Sequence, residues 1–226
     1  MKNFGVIIAD EYEFDPFIEL CRKYNGVVSD ERGHRVAEFK IGEKNVKGIE
    51  CGIGKVNAAS AAAFMIANDK PDIILNAGLS GAISGLAKDD IIVGESFVEC
   101  DFDLTAIGYA PGAKPQETYI YETPQSLIAL AEKAGVAKAG KFGCGDIFLA
   151  DKAKKNFFKE TFGICEFDME TAAVASVCHE SGVPYLSVRQ ISDTADDTSP
   201  EDYTNTNNMK KADLTHVLEQ IILLAE

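Results

Sequence analysis

Gly5-Val6-Ile7-Ile8-Ala9-Asp10-Glu11-Tyr12-Glu13-Phe14-Asp15-Pro16-Phe17-Ile18-Glu19-Leu20-Cys21 changes its hydrophobic period within a few residues. Val6 to Ala9 is short, continuously apolar and rich in β-branched side chains, the pattern of a strand buried on both faces. Phe14, Phe17, Ile18 and Cys21 then fall at i, i+3, i+4 and i+7, one face of a helix. Asp15-Pro16 supplies an expected N-cap followed by proline at the first helical position. A buried strand running directly into an amphipathic helix is the unit from which α/β domains are built.

The alternation continues to the C-terminus. Extended segments are expected at His34 to Ile41 and Val46 to Cys51, about a turn at Gly42 to Asn45, followed by an alanine-rich helix from about Lys55 to Asn68. Asp72 to Ala77 and Asp90 to Val98 read as buried strands, and the intervening Gly78-Leu79-Ser80-Gly81-Ala82 as an irregular glycine turn. Residues 105–124 hold three Pro and two Gly and predict a long surface excursion. Helices are expected at Pro124 to Ala134, Lys152 to Thr161 and Met169 to Ser181, and strands at Lys141 to Cys144, Gly163 to Glu166 and Tyr185 to Ile191. Leu214, Val217, Leu218, Ile221, Ile222 and Ala225 form one apolar stripe on a last helix that should pack on the sheet. No repeat, low-complexity tract or linker divides the chain. The expectation is one α/β domain, residues 1–226, with a central mixed, largely buried twisted sheet flanked by helices.

The composition limits function. The 226 residues carry 22 Lys+Arg against 36 Asp+Glu, a net charge of −14, which excludes a general nucleic-acid binder because clustered basic residues drive counterion release. No apolar run approaches the roughly 20 residues of a membrane helix, so no membrane partner is expected. The N-terminal apolar run ends early in acids, unlike a signal peptide, and points to the cytoplasm. The 6 Cys and 3 His are scattered, with no CxxC pair, and read as reduced buried thiols with no metal site and no cofactor.

In open α/β sheets ligands bind beyond the carboxyl ends of the strands. The residues just after the predicted strands are Asp10-Glu11-Tyr12-Glu13, Gly78 to Gly81, Glu166 to Glu170, and Ser192-Asp193. Each acid has an ordinary explanation alone: Glu13 and Glu170 lie near helix starts, where the dipole favours a carboxylate, and Asp193-Thr194-Ala195-Asp196-Asp197 could be a solvated loop. That loop lacks the glycine and distal glutamate of a calcium loop. If the strands are parallel neighbours, the acids share one pocket. Gly52-Ile53-Gly54-Lys55-Val56-Asn57 is not a Walker A loop, since Ile49 and Val56 stand where Gly and Ser or Thr are required, and Asn57 breaks the dinucleotide pattern. No G-x-S-x-G is present, so a serine hydrolase is not supported.

Gly5 to Ala9 followed by acids, Gly52 to Ala59, Asn76-Ala77-Gly78, Gly145-Asp146-Ile147-Phe148, Asp168-Met169-Glu170, Val177-Cys178-His179, Val183-Pro184 and Arg189 to Asp196 together resemble the nucleoside phosphorylase and nucleosidase superfamily. Within it the chain resembles the methylthioadenosine/S-adenosylhomocysteine nucleosidases, which implies a nucleoside phosphorylase-like fold and hydrolysis of a purine nucleoside. By that resemblance, Asp193 is the acid that protonates N7 of the purine, Ser192 orients it, and Glu13 positions or deprotonates the attacking water. Glu170 accepts the ribose hydroxyls over Met169. Phe148 lies against the base, with Leu149 reading its edge, Tyr203 covers sugar or base, and Ile53, Gly81 and Asp168 complete the pocket.

The resemblance further implies a homodimer whose neighbouring subunit donates the arm around Leu104, Ile107, Tyr109 and Pro115. The chain departs from the nucleosidase pattern at Leu79, where serine is usual, at Asp168, where glutamate is more familiar, and at Ala150, where a polar residue is common. Acids after the first strand, and Asn76 where bacterial purine nucleoside phosphorylases carry Arg, favour water over phosphate as nucleophile. A phosphorolytic enzyme, a futalosine hydrolase or another purine nucleosidase, and a nucleoside-binding protein on the same fold are the alternatives.

Overall fold

The computed structural model describes residues 2–197, 199–201 and 214–225. Its strands are β1 (Asn3–Ile8), β2 (Val27–Glu31), β3 (His34–Ile41), β4 (Lys44–Glu50), β5 (Ile73–Ala82), β6 (Ile91–Glu99), β7 (Ile120–Glu122), β8 (Lys138–Cys144), β9 (Glu166–Asp168) and β10 (Tyr185–Asp193). The helices are α1 (Glu11–Lys23), α2 (Lys55–Asp69), α3 (Gln125–Lys133), α4 (Lys152–Phe162), α5 (Thr171–Ser181) and α6 (Leu214–Leu224).

β1 is sandwiched between β4 and β5, parallel to both, and β5 runs parallel to β10. β10 also pairs antiparallel with β6, β6 parallel with β8, and β8 with β9, which crosses back antiparallel onto the end of β5. Strands β5, β10, β6, β8 and β9 therefore close into a ring, while β1, β4, β3 and β2 extend as an open wing. The sheet is mixed, as the alternating sequence predicts, and its closure into a ring lies beyond what the pattern shows.

Both faces of the inner strands are covered, which is why they read as continuous apolar runs. Val6, Ile8, Leu75 and Val188 pack with Phe14 and Phe17 of α1 and Leu218 and Ile222 of α6 on one side. Ile7, Ile74 and Ile191 pack with Ala58 and Ala62 of α2 and Ala172 and Ala175 of α5 on the other. The apolar stripe of the last helix lands on the sheet as expected; each fully buried Leu or Ile contributes about 1.5–3 kcal/mol.

Several elements depart from expectation, among them β7, which pairs with β6 and buries Tyr121 inside the stretch expected to be a surface excursion. α1 begins at Glu11, not after Asp15: Asp10 is the N-cap, its Oδ1 accepting from Tyr12 N at 2.8 Å, and Glu13 completes a capping box. Pro16 sits inside the helix. The glycine segment Gly78 to Ala82 is the last part of β5, not a turn, because β10 and β9 pair with it. β9 covers Glu166–Asp168, later than the predicted strand, so α5 starts at Thr171. β2 was not expected at all; its side chains are nearly all exposed and leave no apolar pattern to read.

Candidate active site

Parallel β1, β5 and β10 end side by side, so Asp10 to Glu13, Gly78 to Gly81 and Ser192-Asp193 converge, and β9 delivers Asp168, Met169 and Glu170 from across the sheet. Of these, Asp10, Glu13, Leu79 to Gly81, Asp168 to Glu170, Ser192 and Asp193 line a cavity of about 320 Å³, within the range of small-molecule sites. The cavity contains Glu13, Ile53, Gly81, Phe148, Leu149, Asp168, Met169, Glu170, Ser192 and Asp193 of the expected set. Tyr203 lies outside the described residues. Leu104, Ile107, Tyr109 and Pro115 do not line the cavity within one chain; Ile107 is 70% exposed and Tyr109 43%.

Glu13 sits on the first turn of α1. Its Oε1 accepts from Leu79 N at 2.6 Å and its Oε2 from Asp10 N at 3.4 Å, so the dipole explanation and the site explanation hold together. Burial pushes its carboxyl up to about 7, with Arg189 pulling down and Glu170 pushing up. Such a group is half-ionised near neutral pH, as a general base requires.

Asp193 closes β10. Its Oδ2 lies 2.7 Å from Ser192 Oγ and its Oδ1 accepts from Ala195 N at 2.8 Å, so Ser192 and the following turn fix its orientation. Gly81 makes room for it: a Cβ there would stand 2.8 Å from Ala195 Cβ and 3.1 Å from Asp193 Oδ1.

Glu170 precedes α5, with Oε1 accepting from Gly54 N at 2.9 Å. Gly54 is the N-cap of α2 at φ 97°, and the next amide, Lys55 N, donates to Asp146 Oδ1 at 2.8 Å. The rejected phosphate-loop segment is thus a backbone nest, occupied by two side-chain carboxylates of the chain itself. Burial pushes Glu170 up against the pull of Arg189. Asp168 lines the cavity but also caps α5, accepting from Glu170 N at 2.6 Å, Thr171 N at 2.8 Å and Thr171 Oγ1 at 2.5 Å. Phe148 and Ile53, 46% and 53% exposed, are apolar groups at the cavity rim.

The residue that sequence reasoning quoted without assigning is Arg189. It is 1% exposed, with Nη2 2.7 Å from Asn76 Oδ1 and 3.5 Å from both Asp168 Oδ1 and Glu170 Oε2. Burial alone would lower it, but the carboxyls of Asp168, Glu170, Glu13 and Glu166 outweigh that and hold it above the ordinary arginine range. Gly78 admits it: a Cβ there would lie 2.3 Å from Arg189 Nη1 and 2.9 Å from Glu13 Oε1. Asn76, weighed above as a phosphate-side position, is in fact 1% exposed and braces Arg189 while donating to Ile7 O at 2.8 Å. The available clue was glycine inside a strand pattern, which marks close approach of another group.

A family model described as the phosphorylase superfamily matches residues 3–223. A 5'-methylthioadenosine/S-adenosylhomocysteine nucleosidase of Shewanella halifaxensis is 37% identical over 211 residues, covering 89% of this chain and 90% of that one. Among solved structures, a mutant Helicobacter pylori nucleosidase of that kind, with 5'-methylthioadenosine in its active site, aligns over 100% of both chains at 27% identity and a TM-score of 0.94. A futalosine hydrolase mutant of Helicobacter pylori aligns over 100% of both chains at 26% identity and a TM-score of 0.93.

Proposed function

Because the chain belongs to the phosphorylase superfamily, and within it to the 5'-methylthioadenosine/S-adenosylhomocysteine nucleosidases, we propose that its cavity hydrolyses the N-glycosidic bond of those two nucleosides. The observation that carries this is the make-up of the cavity wall. Glu13, Asp168, Glu170 and Asp193 line it, and among the described residues that do so there is no Lys, Arg or His. A phosphate dianion needs cationic or multiple donor contacts, whereas water and an uncharged ribose suit carboxylates. Arg189 is buried behind the acids and is not a cavity-lining residue.

In this mechanism the bond between C1' and the purine N9 lengthens, leaving an oxocarbenium-like ribosyl cation that the surrounding carboxylates stabilise. Asp193 delivers a proton to N7, so the base departs as neutral adenine. Glu13 takes a proton from water as its oxygen bonds C1', and Glu170 accepts the ribose hydroxyls. Phe148 packs on the purine with Leu149 along its edge, and Met169 lies under the sugar; Ile53, Gly81, Asp168 and Ser192 shape the remainder.

We place the enzyme in the cytoplasm, consistent with its six free cysteines, and as a homodimer in which the exposed arm at Leu104, Ile107, Tyr109 and Pro115 closes the partner's pocket. A second substrate, futalosine, is favoured by the likeness to futalosine hydrolase. The test is incubation with methylthioadenosine, S-adenosylhomocysteine, adenosine, inosine and futalosine, with and without phosphate, and separation of base and sugar. Adenine release from the first two without phosphate is expected. Release that requires phosphate would overturn hydrolysis, and release from none would leave a binding protein.

A further inference from the structure

Glu166 is the carboxyl of the acid cluster that the mechanism does not use. It is 0% exposed, it does not line the cavity, and Phe142 and Ala82 are its register partners on the flanking strands. Arg189 has its ion pairs with Asp168 and Glu170, not with Glu166. An ionised Glu166 would therefore be a buried charge without a salt bridge, among the costliest groups a protein interior can hold. The Cys100 and Cys165 thiols on the neighbouring segments are raised by burial and supply no counter-charge.

The surrounding polar atoms fit a neutral acid. Both Glu166 oxygens and Ser80 Oγ are buried without a hydrogen-bond partner, and the side chains that act on Glu166 are those of Asp168, Arg189 and Ser80. A carboxylate offers about four acceptor sites. Asp168 fills three, with Glu170 N, Thr171 N and Thr171 Oγ1. A neutral carboxyl has one O–H to give and one carbonyl oxygen to be given to. The Ser80 hydroxyl donating to Glu166, and Glu166 donating to Asp168, would satisfy Ser80 Oγ and both Glu166 oxygens at once, leaving Arg189 Nε outside the arrangement.

We infer that Glu166 is held as a neutral carboxylic acid and is a positioning residue, donating to Asp168 from behind the cavity wall and so holding the turn that presents Glu170. Burial and the Asp168 charge push its carboxyl well above the ordinary range, against the pull of Arg189, in keeping with the geometry. The kinetic part rests on the assignment of Glu170 to the ribose; the protonation part does not.

The test uses the full-length enzyme and the variants Glu166→Gln and Glu166→Met. In infrared difference spectra at about pH 9, where Glu13 with its value near 7 is ionised, wild type should show a neutral carboxyl C=O band that Glu166→Gln lacks. Glu166→Gln, neutral and still a donor, should keep kcat/KM within about twofold and an unchanged pH profile. Glu166→Met should raise KM about tenfold with a smaller change in kcat, as expected for one lost hydrogen bond to a charged acceptor. Absence of the band, or a pH limb displaced in Glu166→Gln, would overturn the neutral acid whether or not Glu166→Met folds. A band lost as expected, with Glu166→Gln and Glu166→Met equally impaired, would overturn the positioning role alone.

Discussion

Replacing Glu13 by glutamine should stabilise the protein above neutral pH while removing its activity. The folded-state value of Glu13 is about 7 against 4.5 for the free side chain, so the folded chain binds the proton more tightly than the unfolded one. For such a raised carboxyl, stability is greatest below about pH 4.5 and falls as pH rises to 7, where the carboxylate becomes a net cost. The difference, about 2.5 units, corresponds to a ceiling of about 3 kcal/mol at roughly 1.36 kcal/mol per unit.

Glutamine has one acceptor oxygen where Glu13 uses two, so it keeps the 2.6 Å bond from Leu79 N and gives up the longer 3.4 Å capping-box bond from Asp10 N. Arg189 keeps its ion pairs with Asp168 and Glu170. The gain should therefore survive in part, about 1–2 kcal/mol, or roughly 2–8 °C in Tm for a chain of this size. Thermal unfolding of wild type and Glu13→Gln at about pH 5 and about pH 8 measures it, with kcat on methylthioadenosine measured alongside. The Tm gain should appear at the higher pH and shrink at the lower. A destabilisation of equal size at both pH values would refute the claim that Glu13 carries a buried, costly charge.

Asp193→Asn should keep the fold and lower kcat by about 10²–10⁴, the usual worth of a general acid, as seen by adenine release with an unchanged Tm; near-normal turnover would remove Asp193 from that role. Gly78→Ala pushes a methyl against Arg189 Nη1 and Glu13 Oε1, so it should cost about 1–3 kcal/mol by overpacking and damage turnover together, measured by denaturant unfolding and kinetics. Ile107→Asp, at a 70% exposed position on the proposed arm, should yield a monomer by sedimentation with a raised KM, while an unchanged dimer with normal KM would argue against arm donation.

The apolar periods of Val6 to Ala9, Phe14 to Cys21 and Leu214 to Ala225 were sufficient to recover strands and helices, because burial on a fixed face leaves a period in the sequence. The same logic failed where side chains are absent or the environment is not periodic. Gly78 and Gly81 look like turn residues because their small size serves Arg189, Glu13 and Asp193, groups far away in sequence that glycine alone admits. Asp15-Pro16 looks like a helix start because it satisfies local cap chemistry, yet Asp10 satisfies it one turn earlier with Glu13 as reciprocal partner. Most of the cavity wall was legible because acids and small residues at strand ends point to the carboxyl edge of a parallel sheet. Arg189 and Glu166 lie behind that wall; both stood in quoted stretches, but a charged residue inside a strand has no local pattern and acquires its role only from neighbours across the ring.

The strand that closes the ring is also among the last to be synthesised. β10 lies between β5 and β6 in the sheet, although more than ninety residues separate it from β5 in the chain, with β6 to β9 coming in between. Long-range pairing of this sort is slow to form. On the ribosome, Glu13, Asp168 and Glu170 are made before the guanidinium of Arg189 that neutralises them, and Asp193 emerges with it. Until β10 inserts, those carboxylates must stay hydrated and the pocket cannot shut. A chain truncated before β10 therefore holds these acids without the guanidinium that faces them, and their desolvation goes uncompensated until that strand pairs.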